Sequence, residues 1–352
     1  MRALILAGGQ GSRLRPLTHT NAKQLIPIAG APILFHALEA IRDVGIIEVG
    51  IVVGETRDEI RAAVGDGSPW GLSVTYIPQE QPLGLGHAVL TARDFVAGQP
   101  FLMYLGDNVL LEGLGRFVEE FERTRPNAQI FLARVPEPER FGVAVLEGDR
   151  VVRLVEKPKE FVSALALVGV YLFDDSIIEA AETLEPSWRG ELEITEAIQW
   201  LIDHGKTVRA EMVSGWWKDT GRPSDLLEAN RVMLSVLNAE VDGEVDEDST
   251  LHGAVRLERG AKVIRSRLRG PVAIARDSVI EDSVVGPNVS IERDSRIVRS
   301  EVEDSIVMEG CQIVDVHGLA ASILGRNVEV RHSGSDGVHR LVVGDQSRLE
   351  LD

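Results

Sequence analysis

Short apolar runs alternate with amphipathic stretches over the first two thirds of the chain. Runs rich in Val, Ile and Leu, which we interpret as strands, cover residues 3–7, 48–53, 74–77, 101–105, 130–134, 151–155 and 166–173. Helical spacing of apolar positions lies between and after them, in residues 33–44, 58–64, 86–95, 114–123, 192–203 and 224–237. This alternation predicts an α/β domain with a Rossmann-like, mostly parallel mixed sheet covered by helices on both faces.

The pattern changes after residue 238. Residues 239–248 carry six acidic side chains and no basic one, so we interpret them as a solvated linker. Beyond them an aliphatic residue recurs every five or six positions between small turn formers, at Ile274, Ile280, Val285, Ile291, Ile297, Val302, Val307 and Ile313. This spacing predicts a parallel β-helix over residues 249–352, with some slippage near "HSGSDGVHR" at 332–340. An antiparallel barrel or sandwich is the alternative, but it would show alternation over longer runs.

Composition excludes several classes of function. The chain has 352 residues, 55 of them acidic and 37 basic, and a net charge of −18 at pH 7. That balance argues against nucleic-acid partners and anionic membrane surfaces, which both attract basic proteins. The lone cysteine, Cys311, fits a reducing compartment. Because the sequence also shows neither a signal-peptide pattern nor a membrane-length apolar run, we expect a cytoplasmic protein.

A glycine-rich turn follows the first predicted strand, in "ALILAGGQGSRLRPLTHTNAKQLIPIAG". Backbone amides at Gly8–Gly9 and Gly11, with Arg13 and Lys23 further on, are suited to a polyphosphate ligand. The turn is not a dinucleotide fingerprint, since Leu14 occupies the third glycine position, and no Gly-Lys-Ser/Thr of a P-loop follows. Alone, it fits a tight turn that needs positive φ equally well. The cations favour the phosphate interpretation.

Two aspartates follow apolar runs and are candidate metal ligands. Asp107 follows the run 101–105 in "LGDN", and Asp219 follows two tryptophans in "GWWKDTG". Ligands of open α/β sheets bind just past the carboxyl ends of strands, although each aspartate also fits an ordinary turn. Together they are suited to one Mg²⁺ whose other ligands are phosphates. By default, Glu156–Lys157 and the acids of "RGELEITEAI" fit solvated surfaces, and Trp216–Trp217 fit a core.

Other catalytic motifs are absent from the sequence. There is no cysteine pair or His-x-x-x-His for zinc and no Gly-x-Ser-x-Gly nucleophile elbow. Phosphoryl or nucleotidyl transfer between two phosphates fits this inventory, because the attacking phosphate is already anionic and needs no general base.

The motifs, in order, resemble a known family. "LAGGQGSRLRPLT", "AKQLIPI", "LGDN", "PERFGVAVL", "VEKP", "ALVGVYLFD", "RGELEITEAI" and "WKDTG" are similar to glucose-1-phosphate thymidylyltransferases of the sugar-phosphate nucleotidyltransferase family. The resemblance covers residues 1–238 nearly end to end. It is greatest to the long actinobacterial form, whose C-terminal domain is a left-handed β-helix, and it therefore implies that handedness for the hexad repeat.

The resemblance also implies roles for individual residues. Those implied to contact the nucleotide are Leu6, Gly8, Gly9, Gly11, Gln79, Gly84 and Asp107, with Gln79 and Gly84 at the base. Those implied to contact the sugar phosphate are Gly142, Glu156, Lys157 and Val168. The implied catalytic cations are Arg13, Lys23 and Lys157. The implied Mg²⁺ ligands are Asp107 and Asp219.

The activity implied is condensation of dTTP with glucose 1-phosphate to dTDP-glucose and pyrophosphate, for deoxysugar biosynthesis. Two positions depart from the family pattern: Phe141 replaces a tyrosine, and Leu83 replaces a polar residue before Gly84. UTP or ATP therefore stays an alternative to dTTP. An acyltransferase in the β-helix, using His252 or His317, is disfavoured by their sequence context. A non-catalytic sensor or assembly subunit is the remaining alternative, and we expect the β-helix to favour a homo-oligomer.

Overall fold

The computed structural model describes residues 1–332 and 337–351. The chain divides into two compact units: Met1–Gln10 with Leu34–Asp219, and Gly11–Ile33 with Thr220–Asp352. The glycine-rich opening stretch is thus shared, because the chain leaves the first unit after Gln10 and returns to it at Leu34. Among the described helices, none is long and apolar enough to cross a membrane.

Thirteen strands and eight α-helices precede the hexad region. The strands are β1 (Arg2–Ala7), β2 (Pro27–Ile28), β3 (Ala31–Pro32), β4 (Glu48–Val53), β5 (Ser73–Pro78), β6 (Phe101–Leu105), β7 (Asn108–Leu110), β8 (Ala128–Arg134), β9 (Gly142–Glu147), β10 (Arg150–Glu156), β11 (Leu165–Phe173), β12 (Val208–Met212) and β13 (Trp217–Asp219). The helices are α1 (Ile33–Asp43), α2 (Arg57–Val64), α3 (Leu85–Thr91), α4 (Arg93–Val96), α5 (Gly115–Thr124), α6 (Ser176–Glu182), α7 (Ile194–Asp203) and α8 (Pro223–Ser235).

The first unit is built on a nine-stranded mixed sheet with the order β5-β4-β1-β6-β11-β8-β12-β10-β9. The pairs β5–β4, β4–β1, β1–β6 and β8–β12 are parallel and the other neighbours are antiparallel. Leu4 and Leu6 pack in one core cluster with α3, α6 and α7, while Ala3 and Ile5 on the opposite face of β1 are also fully buried. Burial on both faces explains the continuous apolar strands, and the predicted fold class is confirmed.

Several short elements lack a sequence signal. β7 and β13 have three residues each, too few for a periodicity to register, and α6 spans only seven. The helix predicted over 86–95 is two helices, α3 and α4, that share Ala92 as a boundary residue. These differences matter because β7 and β13 carry candidate site residues.

The second unit contains a parallel β-helix. Its strands are β14 (Glu240–Val241), β15 (Glu244–Val245), β16 (Thr250–His252), β17 (Val255–Leu257), β18 (Lys262–Ile264), β19 (Arg267–Arg269), β20 (Val272–Ile274), β21 (Val279–Glu281), β22 (Val284–Val285), β23 (Val289–Ile291), β24 (Arg296–Val298), β25 (Glu301–Glu303), β26 (Ile306–Val307), β27 (Gln312–Val314), β28 (Leu319–Ala320), β29 (Ile323–Leu324), β30 (Glu329–His332), β31 (Val342–Val343) and β32 (Arg348–Leu351). They form three stacked parallel sheets around a core of the predicted aliphatic residues, as in a left-handed β-helix.

The acidic run is part of this β-helix, so its interpretation as a linker is wrong. β14 and β15 pair in parallel with β17 and β18 of the next coil. Lys262 lies opposite Glu244, with Nζ 3.2 Å from its carboxylate. The cations that balance these acids lie about eighteen positions later in the sequence. The charges of residues 239–248 alone therefore do not reveal them.

Serines form a hydrogen-bonded column along one corner of the β-helix. Each of the hydroxyls of Ser249, Ser266 and Ser283 accepts the backbone N–H of the serine one coil later, at 3.0 Å. The repeat is 17 residues in the pairing of Val255 with Val272 and 16 in the pairing of Ile297 with Ile313. Between Ile323 and Val342 it is 19. Part of "HSGSDGVHR", where we expected slippage, lies outside the described residues.

The segment 11–33 belongs to the second unit because it packs on α8 and the β-helix. Ala29 shares a small apolar cluster with Leu234 and Ala273. Its backbone N–H donates to Asn230 Oδ1 at 2.8 Å, and its carbonyl accepts from Arg256 Nη2 at 2.6 Å. The β-helix and the segment that carries Arg13 and Lys23 thus form one packed body.

Candidate active site

Predicted site residues follow three parallel strands of the first unit at the same edge of the sheet. Gly8 follows β1, Gln79 follows β5, and Asp107 lies one residue beyond Gly106 at the end of β6. The strand ends are tied together, since Gly106 N–H donates to Leu6 O at 2.9 Å. This is the edge at which open α/β sheets bind ligands.

Gln79 lies directly against the glycine-rich turn. A Cβ on Gly8 would lie 2.9 Å from Gln79 Oε1, so a larger residue at this position would require the amide to shift. The Gln79 Nε2 lies 2.9 Å from His87 Nδ1 and 3.5 Å from Gly84 O. His87 fixes the amide that is implied to meet the base. No role for His87 is predictable from the sequence, because this single histidine in "GLGHA" has no motif around it.

Gly84 joins the loop before α3 to the loop before α7. Its φ is +101°, and a Cβ there would lie 2.6 Å from Leu192 O. Leu192 N–H donates to Leu83 O at 2.7 Å, and Gly86 N–H donates to Leu192 O at 2.8 Å. Leu83 thus contributes its backbone to this contact, whatever its side chain does at the base. The proposed base site and the start of α7 are held together here.

The two candidate metal ligands lie in or next to the paired strands β7 and β13. β7 and β13 pair antiparallel, with Asp219 opposite Asn108, which follows Asp107. Asn108 is buried; its Nδ2 donates to Asp107 Oδ1 at 3.0 Å, and its Oδ1 accepts from Trp217 Nε1 at 2.7 Å. Within residues 1–332 and 337–351 no group of three or more His, Cys, Asp or Glu side chains is arranged to hold a metal. Two carboxylates fit a Mg²⁺ completed by phosphates.

Asn108 also contacts the irregular part of β11. A Cβ on Gly169 would lie 2.7 Å from the Asn108 side chain. The register of β11 against β8 shifts between Leu167 and Tyr171, as at a bulge that redirects a strand beside a site. Val168, implied to line the sugar site, has no exposed surface. It supports this bulge from within the core.

The residues implied for the sugar phosphate meet at the ends of β9 and β10. Gly142 pairs with Glu156, and Thr195 Oγ1 donates to Glu156 Oε2 at 3.2 Å. Lys157 follows with φ +41°; its N–H donates to Phe141 O at 3.0 Å, and its Nζ lies 3.7 Å from Glu156 Oε1. The "VEKP" charges are thus part of a half-buried cluster, and the solvated-loop interpretation is wrong.

A second set of charges, missed in the sequence, surrounds Glu156. Arg189 Nη1 lies 3.1 Å from Glu193 and 3.6 Å from Glu156, and its Nη2 lies 2.8 Å from Glu191. Glu193 is buried at the start of α7, so assigning it to a wet helical face is wrong. Burial of Glu156 and the charge of Glu193 raise the Glu156 pKa, which Lys157 and Arg189 partly offset. The sequence feature that could have revealed this cluster is Arg189, which lies two residues before Glu191 and four before Glu193.

Phe141 and Trp217 pack together beside this cluster. Their ring centroids lie 5.5 Å apart in an edge-to-face arrangement. Trp217 is only half buried, so it is not the pure core residue that the sequence suggested. Its indole ring links the aspartate pair, through Asn108, to the loop that holds Lys157.

The remaining predicted residues lie in the second unit. Gly11 has φ +62°, and a Cβ on it would lie 3.0 Å from Lys23 Cβ. Thr18 Oγ1 donates to Gly11 O at 2.8 Å, which closes the loop onto the stem of Lys23. Lys23 is 6% exposed, whereas Arg13 is exposed in a single helical turn. Lys23 is therefore not a solvated surface charge.

Known proteins have similar sequences. Residues 2–236 match the family described as "Nucleotidyl transferase". A glucose-1-phosphate thymidylyltransferase of Streptomyces griseus is 53% identical over 353 residues, 100% of this chain and 99% of its own. One of Streptomyces antibioticus is 48% identical over 354 residues, with shares of 100% and 99%.

A solved structure supports the fold of the first part of the chain. It is a Bacillus anthracis protein described as a glucose-1-phosphate thymidylyltransferase in complex with sucrose. It is 34% identical, has a TM-score of 0.64, and covers 68% of this chain and 98% of its own. With the family match to residues 2–236 and the full-length relatives, it leads to one assignment: this chain belongs to the nucleotidyl transferase family.

Proposed function

We propose that the protein is a glucose-1-phosphate thymidylyltransferase, which condenses dTTP and glucose 1-phosphate to dTDP-glucose and pyrophosphate. The observation that supports this proposal is the β7–β13 pair at the carboxyl edge of the sheet, in which Asp219 lies opposite Asn108, the residue after Asp107. The names of full-length relatives support the choice of substrates. Since these are metabolites of the cytoplasm, we propose that the protein acts there and supplies dTDP-glucose for deoxysugar synthesis, as a homo-oligomer.

The proposed reaction is an in-line displacement at the α-phosphorus of dTTP. A phosphate oxygen of glucose 1-phosphate forms the new bond to phosphorus, and the bond to the bridging oxygen breaks and releases pyrophosphate. The attacking oxygen is already ionised, so no side chain has to remove a proton. Mg²⁺, held by Asp107 and Asp219, would neutralise charge on the nucleotide phosphates.

Different cationic side chains are proposed to bind the two substrates. Arg13 and Lys23, with the amides around Gly8–Gly9 and Gly11, are proposed to hold the triphosphate, and Gln79 to contact the base. Lys157 is proposed to hold the sugar phosphate, with its backbone fixed by Phe141 O. Glu156 is proposed to accept hydrogen bonds from glucose hydroxyls beside Gly142. Such alignment of two bound anions is the main source of rate in phosphoryl transfer.

The test is a direct assay with glucose 1-phosphate, Mg²⁺ and dTTP, UTP, ATP, GTP or CTP in separate reactions. Pyrophosphate release and the mass of the sugar nucleotide are measured, with an EDTA control. Fast, EDTA-sensitive formation of dTDP-glucose is expected. Preference for another base would overturn dTTP but keep the reaction, and no turnover of any pair by folded protein would overturn the enzyme assignment.

A further inference from the structure

The β-helix contacts the segment 11–33, which carries Arg13 and Lys23, through an aspartate that belongs to neither proposed substrate site. Asp345 Oδ2 accepts hydrogen bonds from Thr20 Oγ1 at 2.9 Å and from Asn21 Nδ2 at 2.8 Å. Next to it, a Cβ on Gly344 would lie 3.1 Å from Pro16 O, so the turn of the β-helix lies flush against the segment. More than 300 residues of sequence separate the partners.

Asp345 is itself held rigidly by its own coil. Its other oxygen, Oδ1, accepts the backbone N–H of Arg326 at 2.8 Å. A Cβ on Gly325 would lie 2.6 Å from that same oxygen. One carboxylate oxygen is therefore fixed to the β-helix while the other faces the segment, which makes Asp345 a defined anchor.

The anchored residues immediately precede Lys23. Asn21 is 5% exposed, and its Nδ2 also lies 3.3 Å from Leu17 O. Asn21 is followed by Ala22 and by the single helical turn Lys23–Leu25, and the stem of Lys23 packs against Gly11. A shift of Asn21 would therefore displace Lys23 relative to the glycine loop that it closes.

We propose that Asp345 is a positioning residue for nucleotide binding: through Thr20 and Asn21 it holds Lys23 in the geometry that accepts the triphosphate. The proposal rests on the proposed function, in which Lys23 contacts those phosphates. It gives the β-helix a role in substrate affinity in addition to any role in assembly. Asp345 touches no substrate in this scheme, so its effect is indirect and specific to the nucleotide.

The test compares Asp345→Asn with Asp246→Asn in the full chain. Asp246 is a matched control, since its carboxylate also accepts a backbone N–H of the next coil, that of Arg265. Asp345→Asn is expected to raise KM for dTTP about fivefold or more, with KM for glucose 1-phosphate unchanged. Asp246→Asn should change neither constant. Equal KM values for dTTP in the two variants would overturn the proposal.

A second readout does not depend on turnover. Hydrogen exchange of the backbone amides of residues 17–25 should be faster in Asp345→Asn and in Thr20→Val, without an additive effect in the double variant. Faster exchange with unchanged KM for dTTP would overturn the positioning role and leave a structural contact. If the wild type uses another triphosphate, KM is measured for that one. If it uses none, the proposed function has failed, and the exchange rates alone decide whether Asp345 anchors the segment.

Discussion

Asp219 lies opposite Asn108 on the antiparallel pair of β7 and β13, so it lies next to the residue that follows Asp107. The two aspartates are separated by 112 positions of sequence and by one ladder step in the fold. Asn108 Nδ2 donates to Asp107, and its Oδ1 accepts from the indole of Trp217, two residues before Asp219. This gives the proposed metal site a rigid side and leaves the remaining coordination positions for phosphates.

Asp107→Asn and Asp219→Asn are each expected to lower kcat about 100-fold or more, because each removes one of two charged oxygen ligands. Part of the loss should be recovered at higher Mg²⁺ concentration. The measurement is initial rate against Mg²⁺, with the exposed Asp149→Asn as control. Activity within twofold of wild type in both variants would remove these residues from the metal site.

Gly84→Ala is expected to destabilise the first unit by about 2 kcal/mol or more, since it combines a positive φ with a clash against Leu192 O. Gly98→Ala is the matched control: it has φ +70° and open space around the added carbon, so it should cost only about 1 kcal/mol. Urea unfolding of both variants gives the comparison. Equal losses of unfolding free energy in the two variants would mean that the loop before α3 moves to accommodate the methyl group at residue 84.

Arg189→Met is expected to cost about 3 kcal/mol, because it leaves the buried Glu193 without its cation and removes one of the two cations beside Glu156. Arg123→Met, which breaks an exposed ion pair with Glu120, should cost less than about 1 kcal/mol. Denaturant unfolding at pH 7 measures both. Adding Glu193→Gln to Arg189→Met should restore part of the loss, and no restoration would contradict an electrostatic cause.

Glu292 in the β-helix makes the free energy of unfolding depend on pH. Its Oε1 is buried and has no hydrogen-bond partner in the described part of the chain. Burial and the neighbouring Glu258 and Glu309 raise the pKa of Glu292 to about 7, against the opposing effect of Arg256 and Arg293. Between the ordinary glutamate pKa and 7 the folded state binds more protons than the unfolded one, so stability falls as pH rises through that window.

Glu292→Gln removes this titration. The variant should be more stable than wild type at pH 8, by up to ~3 kcal/mol, and the difference should vanish near pH 4, where the glutamate is protonated in both states. Denaturant midpoints from pH 4 to pH 8 test this. A difference that does not depend on pH would show that the substitution acts through packing instead.

Features with a regular period were predictable from the sequence. The buried strands around Leu4 and Met103 and the hexad aliphatics from Ile274 to Ile313 are repeated by the geometry of a sheet or a coil, so their spacing alone reveals them. The combination of glycines and cations in the turn after β1 predicts a polyphosphate site, and this role stays a prediction. The resemblance then supplied roles that the pattern could not.

Features that depend on distant partners were not predictable. Glu193 is buried in a cluster in which Arg189 also reaches Glu156 at the end of β10, and Glu244 is part of a strand because its backbone pairs with Lys262 one coil later. The segment 11–33 joins the second unit through Asn230 and Arg256. In each case the deciding contact joins stretches whose local sequence is also compatible with a solvated loop.

The serine column of the β-helix restricts how this domain can change in length. The hydroxyls of Ser249, Ser266 and Ser283 each accept the amide of the serine one coil later, whereas Ser300 Oγ accepts the amide of Val316, 16 residues later. Removal or duplication of a complete 17-residue coil between Ser249 and Ser300 would set serine over serine again. Insertions and deletions that preserve the fold should therefore come in whole coils, or be confined to one turn, as in the 16-residue coil between Ile297 and Ile313 and the 19-residue coil between Ile323 and Val342.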